Sequence, residues 1–145
     1  MNLKKISPRL YVSEQIQIGD ADVAAARGFK TIVCNRPHAE TPDQPDTEAI
    51  ALAAENAGIK FIHIPVVGGS ITDSAIAEFS EAYRNAEGPI LAYCRSGMRS
   101  TSLWALVEAG RLDVNTVMWT AAEAGYDLTS LRPVLEVRAA AADRK

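Results

Sequence analysis

Three short apolar runs recur at residues 31–34, 60–64 and 89–93, and a helical pattern separates each from the next. The runs, within "KTIVCN", "IKFIHIPV" and "GPILAY", are too short for helices and rich in β-branched residues. They do not alternate with polar residues, as a half-wet antiparallel strand would. Short, continuously apolar strands alternating with helices predict a parallel sheet with helices on both faces.

The intervening segments fit that prediction. Leu10 to Val12 reads as another short strand. "IGDADVAAARG" reads as a helix with Asp20 near its start and Gly28 as its stop, and "TEAIALAAENAG" as one closed by Gly58. Between them "RPHAETPDQPD" carries three prolines and predicts a loop. Thr72 is placed to cap a helix whose apolar face is Ala75, Ile76, Phe79, Ala82 and Tyr83, with Asp73 in its first turn. Three further stripes follow residue 94. These are Leu103, Leu106 and Val107; then Val114, Val117, Met118 and Ala121; then Leu128, Leu131, Val134 and Leu135, with Pro133 in the first turn. The expected fold is a single α/β domain over 1–145, with a central, mostly parallel sheet of about four or five strands and helices on both faces.

Composition narrows the function. The net charge of −3 and the lack of a basic stripe argue against nucleic acid as partner. No apolar run approaches the roughly 20 residues needed to cross a bilayer. The first residues, "MNLKKISPRLYV", have no apolar signal region. The two cysteines, Cys34 and Cys94, form no disulfide framework and no zinc-ligand spacing, so no metal and no cofactor are expected. A reducing, cytoplasmic setting is the expectation.

Cys94 ends the strand "PILAY" and opens the loop "CRSGMR", after which a helix begins. In parallel sheets, ligands bind beyond the carboxyl ends of strands. The helix N-terminus presents unpaired N–H groups there, Gly97 lets the loop take positive φ, and Arg95 and Arg99 add positive charge. All of these favour a thiolate, the reactive form of cysteine. A cysteine after an apolar strand is otherwise a small buried hydrophobe. The joint context makes Cys94 a nucleophile in an anion cradle, with Arg99 beside it and Arg95, Ser96, Gly97, Met98 and Ser100 binding substrate.

"CRSGMRS" resembles the active-site loop of rhodanese-type sulfurtransferases. The strand–loop–helix also resembles protein tyrosine phosphatases, whose loop is longer; here four residues separate Cys94 from Arg99. "ISPRLYVSEQI", "TIVCNRPHAETPDQP", "IHIPVVGGSIT" and "GPILAYCRSGMRSTSLWAL" together resemble the beta-lactamase hydrolase-like, phosphatase-like domain family (DUF442), over roughly residues 3–108. The resemblance implies a fold like that of dual-specificity phosphatases with a short loop. Some members are fused to a persulfide dioxygenase, so a stand-alone form acting with a separate persulfide dioxygenase is the expectation. The "NRP" element, Asn35 to Pro37, recurs in that family beside the ligand edge. Arg36 there binds an anionic donor or pins the loop, or instead pairs with Glu40 or Asp43. Asn35 holds the loop through backbone hydrogen bonds.

Sulfur transfer and phosphate hydrolysis both begin with thiolate attack. A phosphatase must also expel an alkoxide, which calls for a general acid. Asp73 is the candidate, though an acidic residue there also complements the helix dipole. Sulfur transfer needs no such acid, because sulfite or a thiolate leaves unaided. The short loop and the lack of a convincing acid favour a sulfurtransferase that passes sulfane sulfur through a Cys94 persulfide, with a small anionic or persulfide substrate. The alternative is a cysteine-dependent phosphatase of the dual-specificity type. A non-catalytic anion-binding or regulatory module is the third reading. Cys34 reads as buried packing rather than a resolving thiol, His63 as a satisfied core histidine, and Trp104 and Trp119 as core or helix-packing residues.

Overall fold

The structure, a computed structural model, describes residues 1–142. Five strands form one sheet: β1 (Lys4–Lys5), β2 (Leu10–Ser13), β3 (Thr31–Cys34), β4 (Lys60–His63) and β5 (Ile90–Tyr93). Their order across the sheet is β1-β2-β5-β3-β4. β2, β5, β3 and β4 run parallel, and only β1 pairs antiparallel. The sequence reading has no counterpart to β1, because two lysines carry no strand signal; pairing with β2 alone makes it a strand.

Period-two alternation sorts the sheet's side chains into two cores. Ile32, Cys34, Leu91 and Tyr93 pack on one face with Ala21, Ala24, Ile50 and Ala54, which come from α1 (Asp20–Ala26) and α2 (Thr47–Asn56). Val33, Ile90 and Ala92 pack on the other. That second face is covered by α3 (Asp73–Asn85), α4 (Met98–Glu108), α5 (Val114–Glu123) and α6 (Arg132–Ala142). Gly28 and Gly58 both take positive φ just past the helices they were expected to close. The Thr72 hydroxyl caps α3 by accepting from the Ala75 N–H.

Three expectations are corrected. α4 is no one-sided stripe; its residues from Ser100 to Leu106 are all buried, because α3, α5 and α6 all pack against it. Small Ser, Thr and Ala side chains let those neighbours approach. Trp119 is not a packing residue, being 64% exposed. Val134 is exposed on α6, while Leu131 falls in a short 3-10 turn, Thr129–Leu131, ahead of it.

The chain adds β3 and β4 outward from β2, then returns to insert β5 between β2 and β3. The helical cover changes face at that return. The carboxyl end of β5 therefore opens at the sheet's switch point, where a crevice forms.

Candidate active site

Cys94 follows β5 at this switch point and is fully buried. Its Sγ accepts the Gly97 N–H at 3.0 Å. Gly97 takes φ of +98°, and a Cβ there would come 2.1 Å from the Tyr126 hydroxyl. Both facts require glycine. Tyr126 donates its hydroxyl to the Ser96 carbonyl at 3.0 Å, pinning the loop from outside. The Ser96 hydroxyl accepts from the Met98 N–H, and the Gly97 carbonyl accepts from both the N–H and the hydroxyl of Thr101.

Arg99 is held on two sides. Its guanidinium makes a bidentate pair with Glu40, both contacts at 2.8 Å, and donates to the Val66 carbonyl at 2.7 Å. These bonds use three of its five N–H donors. The hydrogen bonds that Arg99 donates to Glu40 raise it further above its ordinary range, and the adjacent Cys94 sulfur adds to that. Glu40 responds in the opposite sense: hydrogen bonding to Arg99, with help from Arg36, brings its carboxyl down to about 2.

Arg36 is buried and donates to Glu40, to the Gln15 side chain and to the Thr41 hydroxyl, each at 3.0 Å. Of the readings open for it, the pairing with Glu40 prevails, and with Gln15 and Thr41 it ties the segment after β2 to the 36–44 loop. Its pairing is with Glu40, and Asp43 instead takes the Thr41 hydroxyl. Asn35 is a buried latch. Its amide donates to the Ile64 carbonyl at 2.9 Å, and its carbonyl accepts from the Ser100 hydroxyl at 2.8 Å. Arg95, Ser96 and Met98 lie exposed at the loop's outer side, whereas Ser100 is buried beneath it.

Asp73 does not join this cluster. It is exposed in the first turn of α3 and lines a groove with Ile76, Arg84, Val107 and Arg138. Cys34 is buried and contacts the Arg36 carbonyl at 3.4 Å; burial pushes its thiol up, which agrees with packing rather than redox exchange. The His63 Nε2 donates to the same carbonyl at 2.8 Å. Sequence reasoning missed three participants. Glu40 was seen only as a partner for Arg36, and Gln15 and Tyr126 carry no local motif.

A buried cysteine where a parallel strand of this sheet meets a helix, beside a positive-φ glycine and an arginine, fits the phosphatase-like α/β fold class. The chain belongs to the family described as beta-lactamase hydrolase-like protein, phosphatase-like domain, whose profile matches residues 2–111. It is 36% identical over 143 residues to the beta-lactamase hydrolase-like protein of Agrobacterium fabrum, covering 97% of this chain and 33% of that relative. The chain thus spans about a third of the length of the curated relatives it matches. The crystal structure of a phosphatase candidate from Neisseria meningitidis superposes with a TM-score of 0.85 at 36% identity, covering 95% of this chain and 99% of that one. The catalytic domain of the PP-IP phosphatase SIW14 from S. cerevisiae shares the fold at 16% identity and a TM-score of 0.66, covering 92% and 90%.

These likenesses overturn the expectation of a rhodanese-like sulfurtransferase passing sulfur through a persulfide. That expectation rested on the short loop and on the lack of a convincing general acid. The family description and the Neisseria structure, similar over nearly the whole chain, are both phosphatase-like. Loop length was a poor discriminator because the features around Cys94 serve a phosphoryl group as well as a persulfide. Among the described residues, no helix is long and apolar enough to cross a membrane.

Proposed function

We propose that this chain is a cysteine-dependent phosphatase acting on small organic phosphates, with Cys94 as nucleophile and Arg99 as the oxyanion clamp. The observation that carries the reading is the Cys94 Sγ held by the Gly97 N–H beside an Arg99 whose guanidinium is fixed by Glu40 and the Val66 carbonyl. The thiolate attacks phosphorus, the S–P bond forms and the bond to the leaving oxygen breaks. Loop N–H groups and Arg99 take up the charge on the peripheral oxygens. Water then attacks phosphorus, the S–P bond breaks, and inorganic phosphate and the thiolate are released. Glu40 is a positioning residue; ionised down to about pH 2, it has no proton to give near neutrality. Asp73 faces a different groove. The reading therefore expects aryl phosphates, whose leaving oxygens need little proton assistance, to be the better substrates. A reducing compartment, the cytoplasm, suits a nucleophile that must stay a thiol.

The test is phosphate release from phenyl phosphate by wild type, Cys94→Ser and Asp73→Asn. Cys94→Ser is expected to be inactive with an unchanged circular dichroism spectrum. Asp73→Asn is expected to lose less than about tenfold, below what an essential general acid contributes. Turnover by Cys94→Ser would sink the assignment, and a large Asp73→Asn loss would restore that residue as the acid.

A further inference from the structure

Two hydrogen bonds of the Cys94 loop meet in a single peptide group. The Gly97 N–H donates to Cys94 Sγ at 3.0 Å, and the Ser96 carbonyl accepts from the Tyr126 hydroxyl at 3.0 Å. That carbonyl and that N–H are the two ends of the same planar amide and point in opposite directions. A continuous chain therefore runs from the Tyr126 hydroxyl, through the Ser96–Gly97 amide, to the sulfur. A donor on the carbonyl polarises the amide and makes its N–H a stronger donor, and in buried surroundings such bonds strengthen one another.

The chain also fixes an orientation. Gly97 lies at φ of +98°, and a glycine can take φ of either sign, so the amide ahead of it can turn over. Turned over, it would face Cys94 with the Ser96 carbonyl oxygen, an acceptor that repels a thiolate. The Tyr126 hydroxyl stabilises the orientation that aims the N–H at sulfur. Tyr126 is itself firmly placed. Gly125 ends α5 at φ of +99°, and the Tyr126 N–H then returns to the Ala121 carbonyl at 2.8 Å. The residue is 9% exposed. Burial, with the neighbouring Cys94 sulfur adding to it, pushes its hydroxyl up, so it keeps its proton and stays a donor across the neutral range.

We propose that Tyr126 is a positioning residue for the nucleophile: through the Ser96–Gly97 amide it aims and strengthens the N–H that holds the Cys94 sulfur as a thiolate. What that thiolate does in turnover rests on the phosphatase reading; the hydrogen-bond chain does not. Tyr126 lies beyond residues 2–111, which the family profile matches, so this control comes from a part of the chain outside the profile.

The experiment is NMR on protein isotopically labelled at the cysteine Cβ and at backbone nitrogen, in wild type, Tyr126→Phe and Ser96→Ala. The Cys94 resonance is assigned by its absence from Cys94→Ser, and its shift against pH reads the thiolate without any reagent having to reach a buried sulfur. Tyr126→Phe keeps the ring and loses only the hydroxyl. Its Cys94 midpoint is expected about half a pH unit above wild type, a roughly threefold loss of thiolate at a given pH below the midpoint. Its Gly97 amide proton should move upfield as the bond to sulfur weakens. Ser96→Ala loses a different bond of the same loop, the one accepted from the Met98 N–H, and leaves both ends of the 96–97 amide paired. It should leave the midpoint in place. An unmoved Gly97 amide and midpoint in Tyr126→Phe would overturn the proposal. An equal shift in Ser96→Ala would overturn it too, since loosening the loop would then be enough. Phenyl phosphate hydrolysis by the same proteins keeps the two readings apart. Shifts in Tyr126→Phe with no turnover by wild type would keep the role of Tyr126 and remove the phosphatase reading. Turnover with neither signal moved would do the reverse.

Discussion

Glu40 sits in a proline-rich loop with no periodicity, yet it fixes the orientation of Arg99 from 59 residues away. A charge pair in such a place has a pH signature. The carboxyl lies near 2 in the folded protein against an ordinary 4.5, because Arg99 hydrogen-bonds it. A depressed carboxyl contributes stability that is whole above about 4.5 and is given up as pH falls toward 2. Wild type should lose stability over that window, and Glu40→Gln should lack that part of the decline. Urea midpoints at about pH 6 and about pH 3 for both proteins would show it, and parallel declines would sink the idea. Nothing near Glu40 in the sequence announces this role. Cys94 was legible because strand, loop and helix are contiguous around it; Glu40 was not, because its partner becomes a neighbour only in the folded chain.

Among the elements, β3 and β5 carry the site between them. Cys34 pairs with Tyr93, and the next residue, Asn35, donates its N–H to the Tyr93 carbonyl at 2.8 Å. That register brings the Asn35 side chain beneath the Cys94 loop, where it meets Ser100. Asn35→Ala would leave the Ser100 hydroxyl and the Ile64 carbonyl buried without these partners. The expected loss is about 2–6 kcal/mol in urea unfolding, at roughly 1–3 kcal/mol for each of the two stranded groups. Asn35→Asp should not recover it, because it keeps the Ser100 bond but buries a carboxylate oxygen against the Ile64 carbonyl; a loss under about 0.5 kcal/mol in Asn35→Ala would show that the latch is dispensable. The strands themselves were readable from their apolar runs, and Asn35 was expected to steady the loop. Their order was not readable, because nothing in a strand's own residues says that β5 returns between β2 and β3. Trp119 was misjudged for a related reason. Apolar residues at helical spacing mark a face, but only the packed molecule decides which faces are covered.

Across the whole molecule, the contact between Gly97 and Tyr126 ties the sheet's crevice to the last third of the chain. Gly97→Ala should cost at least about 1–2 kcal/mol from the left-handed backbone alone, with a further cost from meeting the tyrosine hydroxyl. In a Tyr126→Ala background the steric part should vanish, so the two substitutions should be coupled rather than additive. Strict additivity in thermal unfolding would show that the tyrosine yields freely. The single α/β domain and its two helical layers were foreseeable from composition and alternation. This closure was not, because Tyr126 follows a helix stop and resembles any half-apolar turn residue.

Tyr126 also lies beyond residue 111, where the family profile ends. It meets Ser96 across thirty residues of chain. During synthesis Cys94 therefore leaves the ribosome before the side chain that clamps its loop. A nascent chain halted between the two carries Cys94 on a loop still lacking its outer clamp. The loop is completed late, after the five strands and the first helical layer have been made.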